Sequence, residues 1–143
     1  MSHFTRELTI AWGDCDDAGI VFYPNYFYWF DSTYHAWLRS LGSGLRDVKA
    51  RWGAVTPLVD VGATFRSAVS YEDVLSIKAH LSEWNSRRFQ LDYVVTCGER
   101  LVATGFEKRA WAVPDGNGGI RGSEIPQEFR ALIEGAPLRS ETA

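Results

Sequence analysis

Three carboxylates, Asp14, Asp16 and Asp17, fall within the run Gly13-Asp14-Cys15-Asp16-Asp17-Ala18-Gly19. Three uses are open to such a cluster. Short acids favour turns because their oxygens accept from nearby backbone N–H groups, which is a structural role. A calcium loop is the second. Asp14, Asp16 and Gly19 match the first, third and sixth places of an EF-hand, but the fifth is Ala18 and the twelfth, where a bidentate glutamate belongs, is Asn25. That reading loses two ligands. The third use is catalytic: one carboxylate beside an acyl carbonyl attacks it or takes a proton from water, while unpaired N–H groups of a following helix polarise the oxygen. Either role needs an ionised Asp16. Apolar surroundings and neighbouring acids raise a carboxyl pKa and helix N–H groups lower it, so the sequence leaves the balance open.

Other chemistries find less support. There is no G-x-S-x-G nucleophile elbow, and Gly42-Ser43-Gly44 lacks the strand-to-helix setting. His3, His35 and His80 are far apart in sequence, with none beside Asp16, and His35 and His80 read as surface or packing residues. The acids flanking Cys15 disfavour a thiolate. Cys15 and Cys97 make neither a disulfide framework nor a metal-ligand spacing, so both read as thiols and no metal is expected. Asp31, among Phe27, Trp29, Phe30 and Tyr34, suits either a pocket or a half-exposed helix face. Arg87 and Arg88 are candidate phosphate cations or simply a solvated hairpin end.

These residues need a scaffold. Residues 4 to 12 alternate, with Phe4, Leu8, Ile10 and Trp12 on one side, and predict a half-buried strand ending at Gly13. Pro24 is placed to open a helix, since the first turn does not need its missing N–H. That helix should run to Leu41 and stop at Gly42; it is apolar on every face and should be mostly buried. Residues 43 to 52 predict a loop or short helix. Strands follow at roughly 55 to 66, 73 to 84, 87 to 97 and 100 to 113, with short breaks at Asn85-Ser86 and Gly98-Glu99 that make the last three antiparallel neighbours. Residues 115 to 119 read as a flexible turn, 126 to 134 as a short helix, and the tail from about 135 as flexible. The order predicts an α+β fold in one domain, residues 1–143, with an antiparallel sheet of about five strands wrapped around one long central helix.

The bulk numbers limit partners. With 45% hydrophobic and 23% charged residues the chain has ordinary globular balance, and a net charge of -3 provides no basic field for nucleic acid. No run approaches the about 18 apolar residues of a membrane span, and no secretory leader is legible, so a cytoplasmic location is expected. Aromatic content, at 14%, is high enough to fill a core and still line a pocket or interface.

The stretch Gly13-Asp14-Cys15-Asp16-Asp17-Ala18-Gly19-Ile20-Val21-Phe22-Tyr23-Pro24-Asn25-Tyr26 resembles the signature of the 4-hydroxybenzoyl-CoA thioesterase family. The similarity continues through Thr56-Pro57, Ser70-Tyr71-Glu72-Asp73-Val74-Leu75 and Glu83-Trp84. The resemblance implies a hot-dog fold, a homotetramer built as a dimer of dimers with active sites at the dimer interface, an acyl-CoA substrate and no cofactor beyond the CoA of that substrate. It puts the essential aspartate at Asp16 and the carbonyl-polarising backbone N–H at Tyr23. Asp31 falls where the hydroxybenzoyl enzyme has an acid near the ring hydroxyl, and Thr56, Pro57 and Leu58 fall on a substrate-lining segment. Leu45 stands where the prototype has a tryptophan flanking the ring. CoA contacts fall just after Trp84, where Asn85-Ser86 replaces basic residues and the charge is displaced to Arg87 and Arg88; Ser86, Arg87 and Arg88 are therefore the CoA-binding candidates. The readings that compete with cleavage of an aromatic acyl-CoA are cleavage of short or medium acyl chains, a dehydratase or hydratase, and a non-catalytic acyl-CoA-binding module. A hydratase would want a histidine near the acid, and residues 13 to 31 contain none.

Overall fold

Chain order runs β1 (His3–Thr9), a 3-10 turn (Trp12–Asp14), α1 (Pro24–Ser40), α2 (Leu45–Trp52), β2 (Leu58–Phe65), β3 (Val74–Trp84), β4 (Arg88–Cys97), β5 (Arg100–Ala110), β6 (Ala112–Pro114), β7 (Ile120–Gly122), α3 (Gln127–Glu134) and β8 (Arg139–Thr142). The computed structural model describes residues 2–135 and 139–142. One sheet has the order β2-β5-β4-β3-β1-β8, antiparallel except for the β1–β8 pair, and β6–β7 is a separate small hairpin. This is the sheet wrapped on one long helix that the element order predicted, and the hot-dog fold that the resemblance implied, with α1 laid across the sheet.

The helix takes that position because its side chains reach strands at both sides of the sheet. Trp37 stacks on Phe4 of β1, Phe30 stacks on Tyr93 of β4 at 4.5 Å, and Tyr34 meets Phe89. All of these are buried, and each large side chain so removed from water contributes about 1.5–3 kcal/mol. The close approach depends on Gly105 of β5. A Cβ there would lie 2.3 Å from Phe30 Cε2 and 2.9 Å from the Gly62 carbonyl oxygen.

Several expectations are corrected. The first strand stops at Thr9, and Trp12, expected on its buried side, stands 73% exposed in the 3-10 turn with its ring edge-on to Tyr71. The helix ends at Ser40 and is not buried all round, since Tyr28 is 68% exposed; Gly42 does take the left-handed conformation that stops it. The strand expected over 100 to 113 breaks at Trp111, and β6 pairs with β7 across the glycine-rich turn. Of the tail expected to be flexible, residues 136–138 and 143 lie outside the described residues, whereas Arg139–Thr142 is a strand parallel to β1. A four-residue strand with no local partner leaves no signal of its own, because a neighbour distant in sequence creates it.

Candidate active site

The acidic turn is a closed structure with different work for each acid. Asp14 Oδ2 accepts from the Ala11 N–H at 2.8 Å, and the Asp14 carbonyl accepts from the Phe22 N–H and from Asn25 Nδ2. A bridge between Cys15 and Val21 and bonds between Asp16 and residues 19 and 20 close the loop, with Gly19 at φ 78°. Asp16 is exposed; its Oδ1 accepts from the Ala18 N–H at 2.9 Å, and its other oxygen bonds nothing among the described residues. Asp17 is exposed, and no described group bonds its carboxylate. Asn25 is a hydrogen-bond donor here, unlike a calcium ligand, and no group of three His, Cys, Asp or Glu side chains converges among the described residues.

Helix α1 begins immediately beyond the turn. Pro24 has no N–H, and the Asn25 and Tyr26 N–H groups are satisfied by the Phe22 and Tyr23 carbonyls. The Tyr23 N–H bonds nothing among the described residues, so the helix start offers one open donor instead of the several expected. Beside it an apolar cleft is lined by Ile20, Tyr23, Tyr26, Phe65 and Val69.

A second cavity, of about 250 Å³, brings together the five expected substrate residues Asp31, Leu45, Thr56, Pro57 and Leu58 with His35, Val55 and Arg109. Asp31 projects from the middle of α1 with 41% of its side chain exposed. Its Oδ1 is 3.4 Å from His35 Nε2 and accepts from Arg109 Nη2 at 2.8 Å. The His35 contact first, and Arg109 with it, overcome the opposing effect of burial and hold the Asp31 carboxyl down to about 2. Arg109 was missed in the sequence. Strand parity was the available signal, since Glu107 and Arg109 alternate with exposed Lys108 and face inward. His35, read as packing, follows Asp31 by four residues and so shares its helix face.

The third cluster, Ser86, Arg87 and Arg88, is exposed at the β3–β4 turn. The Ser86 and Arg87 carbonyls accept from the Ile125 and Trp111 N–H groups, which anchors the turn. Arg88 pairs with Ala110, whose N–H donates to the Pro57 carbonyl, so this basic turn adjoins the Asp31 cavity. Asp16 and Tyr23 lie at the other end of the sheet. Strand β3 separates the two ends by about 30 Å, Val74 pairing with Thr9 near the acidic turn and Trp84 sitting at the basic turn. Edge strand β2 connects them, with Phe65 lining the cleft beside Tyr23 and Leu58 lining the Asp31 cavity.

A sheet wrapped on a helix, with an acid-bearing turn at the helix start and an ionised aspartate midway along it, defines a hot-dog enzyme of the thioesterase type. The profile of the thioesterase-like superfamily matches residues 10–133, and the chain belongs to that family. It is a thioester hydrolase. A 4-hydroxybenzoyl-CoA thioesterase of Pseudomonas sp. strain CBS-3 is 34% identical over 135 residues, covering 90% of this chain and 95% of that protein. The crystal structure of a mutant 4-hydroxybenzoyl-CoA thioesterase complexed with 4-hydroxybenzoyl-CoA superposes with a TM-score of 0.84 at 34% identity, covering 93% of this chain and 99% of that one. A gentisyl-coenzyme A thioesterase structure is 29% identical with a TM-score of 0.77, covering 88% and 98% of the two chains.

Proposed function

We propose that this chain, as a single domain over residues 1–143, hydrolyses a hydroxylated aromatic acyl-CoA to the free acid and CoA. The observation that carries the substrate reading is Asp31, an ionised carboxylate that shares a cavity with the apolar walls Leu45, Val55, Pro57 and Leu58 and with the polar groups of His35, Thr56 and Arg109. A flat apolar ring fits those walls, and a ring hydroxyl supplies the donor that a carboxylate needs. Relatives named for 4-hydroxybenzoyl-CoA and gentisyl-CoA support the same class.

In this reading the thioester carbonyl oxygen accepts from the Tyr23 N–H, which stabilises the charge that develops on it. The free oxygen of Asp16 either attacks the carbonyl carbon, expelling CoA thiolate and leaving a mixed anhydride for water to open, or takes a proton from the water that attacks. Ser86, Arg87 and Arg88 hold the CoA phosphates, and no cofactor takes part. The two cysteines are unpaired, as suits the reducing cytoplasm. A second reading, cleavage of short or medium acyl chains, is favoured by Leu45, a smaller wall than the tryptophan that the resemblance put there.

A panel of 4-hydroxybenzoyl-, benzoyl-, butyryl- and octanoyl-CoA with thiol release as readout tests the two. We expect the hydroxylated substrate to lead in kcat/KM; aliphatic chains cleaved equally well would refute the aromatic reading.

The site is completed by a second copy. Strand β2 is a sheet edge with Leu58, Val59, Val61 and Phe65 exposed, which is the kind of edge that pairs with another strand. Antiparallel pairing of β2 with the same strand of a partner, centred on its middle, sets one copy's Phe65 end, with Asp16 and Tyr23, beside the other's Leu58 end, with Asp31 and Thr56. Two such dimers make the homotetramer. Val61→Lys should yield monomers by sedimentation and lose turnover; a fully active monomer would refute the shared site.

A further inference from the structure

Beneath the Asp31 cavity lies a buried polar cluster that no step at Asp16 uses. Arg109 is 3% exposed and Glu107 1%. Glu107 Oε1 accepts from Tyr93 Oη at 2.6 Å and from Arg109 Nε and Nη2 at 3.1 and 3.0 Å. The same guanidinium donates through Nη1 to the Thr56 carbonyl at 2.9 Å and through Nη2 to Asp31 Oδ1 at 2.8 Å, and it lies 4.2 Å from the centre of the Tyr34 ring. Tyr34 in turn hydrogen-bonds Thr56 Oγ1 at 2.9 Å.

A buried guanidinium is costly unless its donors are met, and here they are met in three directions: by its own strand, by the middle of α1 and by the segment leading into β2. Those last two carry the walls of the cavity. Asp31, a half-exposed side chain on a helix, is also met by His35, and Thr56, in the segment leading into β2, is also met through its hydroxyl by Tyr34. Arg109 is the group that bonds both. By taking Asp31 Oδ1 it leaves the second carboxylate oxygen, for which no described partner is present, to receive a donor from the cavity.

We propose that Arg109, oriented by Glu107 and Tyr93, is a positioning residue that sets acyl-group selectivity by holding the Asp31 carboxylate and the Thr56 carbonyl at fixed places on the cavity wall. It acts through those two groups and has no part in the chemistry at Asp16. The inference rests on the aromatic reading given above, and it adds that selectivity is built from the strand beneath the pocket. A lysine there keeps the charge and loses the planar three-way geometry.

The test compares kcat/KM for 4-hydroxybenzoyl-CoA and benzoyl-CoA in the wild type, Arg109→Lys, Asp31→Asn and the double variant. Arg109→Lys should lower the ratio of the two substrates by about tenfold or more, the scale of one hydrogen bond to a charged group. The loss should appear in KM for the hydroxylated substrate and exceed any loss seen with benzoyl-CoA. With Asp31→Asn already present, Arg109→Lys should change the ratio less than it does alone, since only the Thr56 contact is then left to lose. A purely structural Arg109 would lower both substrates in parallel, and that result overturns the proposal, as does an unchanged ratio. If Arg109→Lys does not fold, Glu107→Gln is measured in its place, and there too an unchanged ratio overturns it. A wild-type enzyme that treats both substrates alike refutes the hydroxylated-substrate reading and this inference together, whereas a discriminating wild type with an equally discriminating Arg109→Lys refutes this inference alone.

Discussion

Replacing Asp16 by Asn separates the catalytic from the structural use of the acidic turn, because the two effects differ in size. The side chain is exposed, and one oxygen accepts from the Ala18 N–H at 2.9 Å. Asparagine retains an amide oxygen for that bond, so the loss is at most the charge-assisted part of one exposed hydrogen bond, about 0.5–1 kcal/mol. The second oxygen, with no described partner, is the one available for chemistry. Removing a general base costs about 10²- to 10⁴-fold in rate, or about 3–5.5 kcal/mol of barrier, and removing a nucleophile costs no less. Thiol release from 4-hydroxybenzoyl-CoA should therefore fall at least about a hundredfold in Asp16→Asn. Its melting temperature and calorimetric CoA affinity should stay close to wild type. Asp14→Asn and Asp17→Asn are the controls: Asp14 Oδ2 holds the Ala11 N–H, which an amide oxygen can also do, and Asp17 bonds nothing described, so both should keep turnover within about threefold. A folded Asp16→Asn protein with near-normal turnover, or an equal loss in Asp17→Asn, would refute the assignment.

Asp31 links the site to acid stability. Its folded pKa, lowered to about 2 by His35 and Arg109 against burial, lies below the unfolded value of about 3.9. Its stabilising contribution is thus complete above about pH 4 and is lost as the pH falls toward about 2. The melting-temperature difference between wild type and Asp31→Asn should be largest at neutral pH and shrink across that window; a difference that grows on acidification would contradict the ion-pair account. Gly105→Ala places a Cβ 2.3 Å from Phe30 and 2.9 Å from a backbone carbonyl. It should destabilise by about 1–3 kcal/mol or more in denaturant titration, and a neutral result would mean that helix and sheet are not in close contact there. Single-turnover hydrolysis in heavy-oxygen water tests the nucleophile role of Asp16: label recovered in its carboxylate requires the anhydride route, with water opening the anhydride at the aspartyl carbon.

Much of this protein is local and was therefore legible in the chain. The acidic turn ends in a proline-led helix because Gly19 and Pro24 impose backbone conformations on their own, and the antiparallel β3–β4–β5 order follows from short breaks between alternating runs. The signature that carried the family is contiguous for the same reason. The tertiary structure decided what depends on neighbours distant in sequence. Asp14, Asp16 and Asp17 are alike as residues, and only the fold shows that Asp14 is committed to Ala11 while Asp16 keeps one oxygen free. Trp12 alternates with buried residues, yet the strand ends before it and leaves it in water. Arg109 lies 78 positions from Asp31, and their contact requires β5 to pass beneath the helix. Periodicity assigns a face to each side chain because that is a property of neighbouring backbone; which side chain from another element it meets there depends on how the sheet and helix close, and in this chain that closure joins Asp31, Thr56 and Arg109 at one end of β2 and puts Asp16 at the other.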